Sequence, residues 1–411
     1  MRFASLILLA ACAAGAPAIE RVAPAERASA PQARRSAPVL APVLAPGLAP
    51  GLAPVLGMND VSILLPLPRD PRAPVLAAIA SAGLVERGWF DALVTDHHDI
   101  APRVAGPIAF EDFQVVAVRF DLCERATVGV CPPDVDGRLR LVLQPMYLRA
   151  GATAAHDVAL HAFYPVPAVE LAQVIDELRA LARRQALAPD AALTVSPAAA
   201  AGDAAYLAQL RALVVRYARG ARLARLTVIG QVADSAAFAW IFRGLERRGD
   251  AIVTLEIPGV AKPQQTLQLA GGDTVYQTAP VADAPAGFAL AINGPRFAAA
   301  TPAERTGALA ALTAIQNPLV HDTINTQCIA CHVATFLTAR RAIAIGLAPA
   351  AIAGRFTSRH ALAVNTIAGA DPRVVRGFGW AASVPAISQR VVNDTAQVLA
   401  EIEARFPASP R

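Results

Sequence analysis

Residues 328–332 of the 411-residue chain read Cys-Ile-Ala-Cys-His, two thiols and an imidazole within five positions. Two thiols three residues apart fall on one side of a helical turn, and the imidazole of His332 follows directly. Three chemistries suit that set. The thiols can form thioethers with the two vinyl groups of a haem while the imidazole ligates its iron. They can cycle between dithiol and disulfide, but that use normally places the pair after a strand in a βαβ unit, which the surrounding sequence does not offer. They can bind zinc, which takes four ligands and usually a second cysteine pair. Five Cys and seven His are too few for this spacing to arise from composition, and the haem reading leads.

The pentapeptide Cys328 to His332 resembles the attachment motif of c-type cytochromes, and the frame from Thr301 onward loosely resembles a single-haem domain of that family. The resemblance implies one covalent haem c, bound through Cys328 and Cys331 and ligated by His332. The sequence departs from the common pattern in lacking the distal Met, because Met1, Met58 and Met146 are the only methionines and all precede the motif. His360, the only His downstream, is a candidate for the sixth iron position and would give a lower potential than Met. His321 and Met146 are further candidates. An open position would instead let the iron bind small ligands or react with peroxide. Phe378 and Trp380 are either pocket-lining or plain core aromatics.

The start of the chain bears on where such chemistry takes place. Met1-Arg2 and the apolar run 3–11 have the length of a signal segment, too short to span a bilayer. The run ends in Leu9-Ala10-Ala11-Cys12, which resembles a bacterial lipobox and implies diacylglycerol on Cys12 and a lipid bilayer as partner. Residues 13–57 are Ala/Pro-rich and end in a near-repeat over 37–56. Proline at that density removes donors and fixes φ, so an extended spacer is expected. In an exported protein Cys123 and Cys131 should be oxidised, and a disulfide closing that short loop is worth about 2.6 kcal/mol. The cluster Asp96-His97-His98-Asp99 has metal-ligand residue types, but adjacent residues seldom face one ion, and a solvated loop is the simpler reading.

The elements that must position the motif follow from periodicity. Alternation marks strands over 113–120, 138–144 and 158–164. An apolar stripe of Leu171, Val174, Ile175, Leu178 and Leu181 marks a helix over 168–185. Asp203 caps a second helix that ends before Gly220. Strand, helix and strand are expected over 223–229, 235–247 and 251–257. Thr301-Pro302-Ala303-Glu304 is a capping box, and a last helix is expected over 385–406.

These readings divide the chain into a lipoprotein signal segment (1–12), a spacer (13–57), an α/β domain of unknown role (58–300) and a haem domain (301–411). The fold class expected is an α+β or α/β N-terminal domain followed by a mostly α-helical cytochrome c-like domain. The expected function is covalent haem binding and electron transfer to a redox partner protein, by a carrier rather than a catalyst, lipid-anchored in the periplasm or cell envelope. The alternatives are a haem peroxidase-type enzyme with an open sixth position, or a surface binding lipoprotein in which the haem is structural. A net charge of +5, carried almost wholly by arginine with no dense basic stripe, gives no case for nucleic-acid binding.

Overall fold

The alternating segments pair side by side into one large antiparallel sheet. The structure, a computed structural model, describes residues 55–93, 108–123, 134–185, 187–231, 238–258, 260, 264–270, 274–277, 286–321, 326–348, 351–352, 354–360 and 375–407. The strands are β1 (Ser62–Leu64), β2 (Phe113–Leu122), β3 (Val135–Arg149), β4 (Ala152–Ala155), β5 (Val158–Pro167), β6 (Arg225–Gln231), β7 (Phe238–Arg248), β8 (Ala251–Thr254), β9 (Gln264–Ala270) and β10 (Thr274–Gln277). Their order is β1-β2-β3-β5-β6-β7-β9-β10, with β4 on β3 and β8 on β7. A separate hairpin joins β11 (Phe378–Ala381) to β12 (Val384–Ile387). The helices are α1 (Met58–Val61), α2 (Arg87–Leu93), α3 (Ala168–Gln185), α4 (Pro197–Ala200), α5 (Ala204–Tyr217), α6 (Ala286–Ala291), α7 (Gly294–Ala299), α8 (Pro302–Ile315), α9 (Cys328–Ala344) and α10 (Gln389–Arg405).

Both faces of the sheet are covered. On β3, Leu139, Leu141 and Leu143 share one face with Gly137, where an added Cβ would lie 3.3 Å from Leu171 of α3 and 3.0 Å from Phe120. The stripe of α3 is buried there, and Asp203 caps α5 by accepting from the backbone N–H of Ala205 and Tyr206. The opposite face carries Arg140 and Val142 of β3 and His161 of β5, and it meets the C-terminal helices: α9 touches β9, and α10 touches β2. Helices α8 and α9 pack on each other, and one continuous apolar core runs from Leu56 to Ile402.

This architecture overturns the expected fold class. The last hundred residues are not a mostly helical cytochrome c-like domain of their own. Their helices lie on the ten-stranded sheet, add a β-hairpin, and fall with the rest of residues 44–411 in one compact unit. The physical reason is local: a Cys-x-x-Cys-His motif specifies one helical turn and says nothing about the layer beneath it. A second correction concerns the helix expected over 235–247, where β7 stands instead. Trp240 and Phe242 alternate with Ile241 and Arg243, and β7 pairs with β6 on one side and β9 on the other. Two flanking ladders outweigh the helix preference of its Ala and Leu residues.

Candidate functional site

The motif begins α9, and a glutamine from the sheet holds that helix end in place. Gln327 is the residue before the first turn and makes no side-chain cap bond. Instead the buried Gln265 of β9 accepts from the Ile329 N–H at 3.1 Å and donates to Gln327 Oε1 at 2.5 Å. One of the unpaired donors of the first turn is thereby satisfied by the sheet. Three residues on, His332 donates from Nδ1 to the Val375 carbonyl at 2.6 Å. A carbonyl only accepts, so the proton sits on Nδ1 and the lone pair on Nε2. Burial, helped by the positive charge of Arg376, pulls the His332 pKa down to about 4. The ring is therefore neutral at pH 7, the form that ligates a metal. A backbone carbonyl on the second ring nitrogen is the usual way a protein fixes the orientation of a metal-ligating imidazole.

Cys328, Cys331 and His332 all line one cavity of about 940 Å³ between α9, α10 and the sheet. Its floor is built by register. Arg119, Arg140, Phe163, Arg225 and Glu246 stand directly opposite one another across β2, β3, β5, β6 and β7, and all five line the cavity. The neighbouring row carries Val142, His161 and Thr227. The ring of His161 lies 6.2 Å from that of His332, centroid to centroid, at 37° between planes. Phe242 stands 5.1 Å from the His332 ring.

The described polar lining is dominated by arginine. Five guanidinium groups (Arg119, Arg140, Arg225, Arg248, Arg390) face three carboxylates (Glu246, Glu256, Asp394). Asp121, just behind, bonds Arg140 at 2.6 Å and Arg119 at 3.4 Å. Burial opposes ionisation of Asp121, but Arg140 and Arg119 beside it hold its carboxyl below the usual range. Arg390 pairs with Asp394 at 2.7 Å, and Arg225 with Glu246 at 3.1 Å. Cationic walls of this kind suit an anionic ligand, because planar guanidinium groups bind carboxylates in two-pronged fashion.

The other residues singled out from the sequence are scattered. His360 is not part of the cavity wall: its Nε2 faces Glu403 Oε2 of α10 at 3.1 Å. His321 and Met146 lie outside the lining as well. Phe378 lines the cavity, whereas Trp380 is core, donating from Nε1 to the Leu65 carbonyl at 3.0 Å. Cys123 is disulfide-bonded. Cys131, Cys12 and the cluster 96–99 lie outside the described residues. His161 and the arginines each hold a polar position on an alternating strand, and only strand pairing brings them to one face of the sheet. Sequence reasoning missed them because nothing in it tells that face is covered.

The state of the thiols separates the possible chemistries. A helix N-terminus lowers a thiol pKa, yet here burial wins, reinforced by the neighbouring thiol, and pushes Cys328 up to about 12; burial raises Cys331 too. Disulfide exchange runs through the thiolate, a form that this shift disfavours. Among the described residues, no group of three or more His, Cys, Asp or Glu is arranged to hold a metal ion directly. A haem iron takes four ligands from its macrocycle and asks the protein for only one or two. The cavity volume falls within the range of cofactor pockets, roughly 300–1,000 Å³. Compared with protein-family models, curated proteins and solved structures, the chain matches none.

Proposed function

We propose that this chain is an exported, membrane-tethered c-type cytochrome-like electron carrier, with one covalent haem c held in the cavity beneath α9. The observation that supports it best is the meeting of Cys328, Cys331 and a neutral, carbonyl-anchored His332 on the wall of one large arginine-lined cavity. When bound, the haem supplies one-electron redox chemistry. The thiols of Cys328 and Cys331 hold it through thioether bonds, and His332 offers Nε2 to the iron. Arg119, Arg140 and Arg225 would donate to its carboxylates, while Val142, Phe163 and Phe378 supply apolar wall that keeps water away. Diacylglycerol on Cys12 tethers the chain, the Ala/Pro-rich residues 13–55 act as spacer up to the first core residue, Leu56, and a redox partner protein exchanges the electron.

Expression with a cytochrome c maturation system, followed by intact-mass spectrometry, tests attachment. The wild-type chain gains the mass of one haem, and Cys328→Ala/Cys331→Ala gains none. A wild-type mass without haem refutes the reading.

A further inference from the structure

The sixth iron position is the feature of this site that the motif leaves open. His360 is turned away toward Glu403, and neither His321 nor Met146 lines the cavity. One side chain that does line it has ligand chemistry and faces the proximal imidazole. His161 sits mid-sheet on β5, between Val142 of β3 and Thr227 of β6, neither of which carries a charge. Its ring centroid is 6.2 Å from that of His332. Its Nε2 is shut off from solvent and has no hydrogen-bond partner. A buried nitrogen left unpaired in this way calls for a ligand.

We propose that His161 is the second axial ligand of the haem iron, so that the sheet supplies one ligand and α9 the other. The inference rests on the haem reading above and deepens it. The geometry supports it in two ways. Metal–imidazole bonds run about 2.0–2.1 Å, and a ring nitrogen lies about 1.1 Å from its centroid, so two imidazoles trans on one iron hold centroids about 6.3 Å apart. The observed centroid separation of 6.2 Å matches that distance. The carrier strand is paired on both sides at His161, with Val142 of β3 and Thr227 of β6, which fixes a ligand better than a loop does. The consequence is a six-coordinate, low-spin carrier of low potential with no open position for peroxide.

The test uses the holoprotein made with a maturation system, its covalent haem content first verified by mass. Electron paramagnetic resonance and absorption spectra are recorded for wild type, His161→Ala, His161→Met and His360→Ala. The expected result is a low-spin ferric iron in wild type and in His360→Ala. His161→Ala becomes high-spin, binds carbon monoxide in the reduced form, and returns to low-spin when free imidazole is added. His161→Met remains low-spin with a raised potential, since thioether ligation favours the ferrous state. His161→Ala that carries haem and stays low-spin without imidazole overturns the assignment and leaves the haem reading standing. A wild-type chain with no covalent haem overturns both.

Discussion

Asp157→Ala is expected to destabilise the fold through a charge that the substitution does not itself remove. Arg376 is entirely buried, and its one ionic partner among the described residues is Asp157, reached at 2.5 Å. Its Nε and second terminal nitrogen have no hydrogen-bond partner. The same carboxylate accepts from the Trp240 indole at 2.9 Å. Removing one member of a buried ion pair costs about 3–5 kcal/mol, because the other is left charged and unpaired. The Asp157 side chain is 31% exposed, so water softens the loss, and about 2–4 kcal/mol is the expected figure. Arg376→Met behaves differently: it replaces a poorly satisfied cation with an apolar chain of similar volume and should stay within about 1 kcal/mol of wild type. The double variant should then recover most of what Asp157→Ala alone loses. Urea denaturation followed by far-ultraviolet circular dichroism reads all four proteins, avoiding the fluorescence of Trp240. An Asp157→Ala midpoint equal to wild type refutes the reasoning, as does a double variant no more stable than the single. The pair matters to the site because Arg376 follows Val375, whose carbonyl fixes His332.

Two further outcomes follow from the structure. Asp60 is buried, accepts the Gly57 N–H at 2.8 Å, and burial raises its pKa to about 7. A carboxyl raised in the folded state favours folding least when ionised. The stability linked to it is therefore present below its unfolded pKa of 3.8 and lost as pH rises toward and through 7. Between pH 5 and pH 8 the loss is about 2–3 kcal/mol, and Asp60→Asn should remove that slope in denaturation curves. Gly379 has φ of +139°, and a Cβ there would lie 2.5 Å from Gln144 Oε1, the acceptor for the Trp380 N–H. Gly379→Ala should cost about 2–3 kcal/mol in the same assay, whereas Gly307→Ala, open around its Cβ on α8, should gain about 0.5–1 kcal/mol.

Much of the local structure was legible in the sequence because its determinants are local. The stripe from Leu171 to Leu181 needs only a 3.6-residue period, and α3 runs over Ala168–Gln185 as that stripe requires. Thr301 and Glu304 form their reciprocal cap at the start of α8. Segment 235–247 was misread because aromatic alternation at Trp240 and Phe242 competes there with helix-forming Ala, Leu and Arg residues, and only pairing with β6 and β9 decides. The site was half visible. Cys328, Cys331 and His332 are contiguous, so their spacing carries the signal. His161 stands on a strand some 170 residues earlier, and Arg119, Arg140 and Arg225 each alternate with apolar residues as any solvent-facing strand would. That this face is roofed by α9 and α10, turning ordinary polar alternation into a cavity lining, depends on long-range packing that no local pattern encodes.

Covalent attachment of a haem through Cys328 and Cys331, as proposed, underlies every other role assigned to the cavity. A pyridine haemochrome spectrum of the purified protein, taken after acid-acetone extraction, tests it most directly. The expected result is a thioether-type spectrum that survives extraction and vanishes in Cys328→Ala/Cys331→Ala. A wild-type protein whose haem extracts completely, or that carries none, contradicts it.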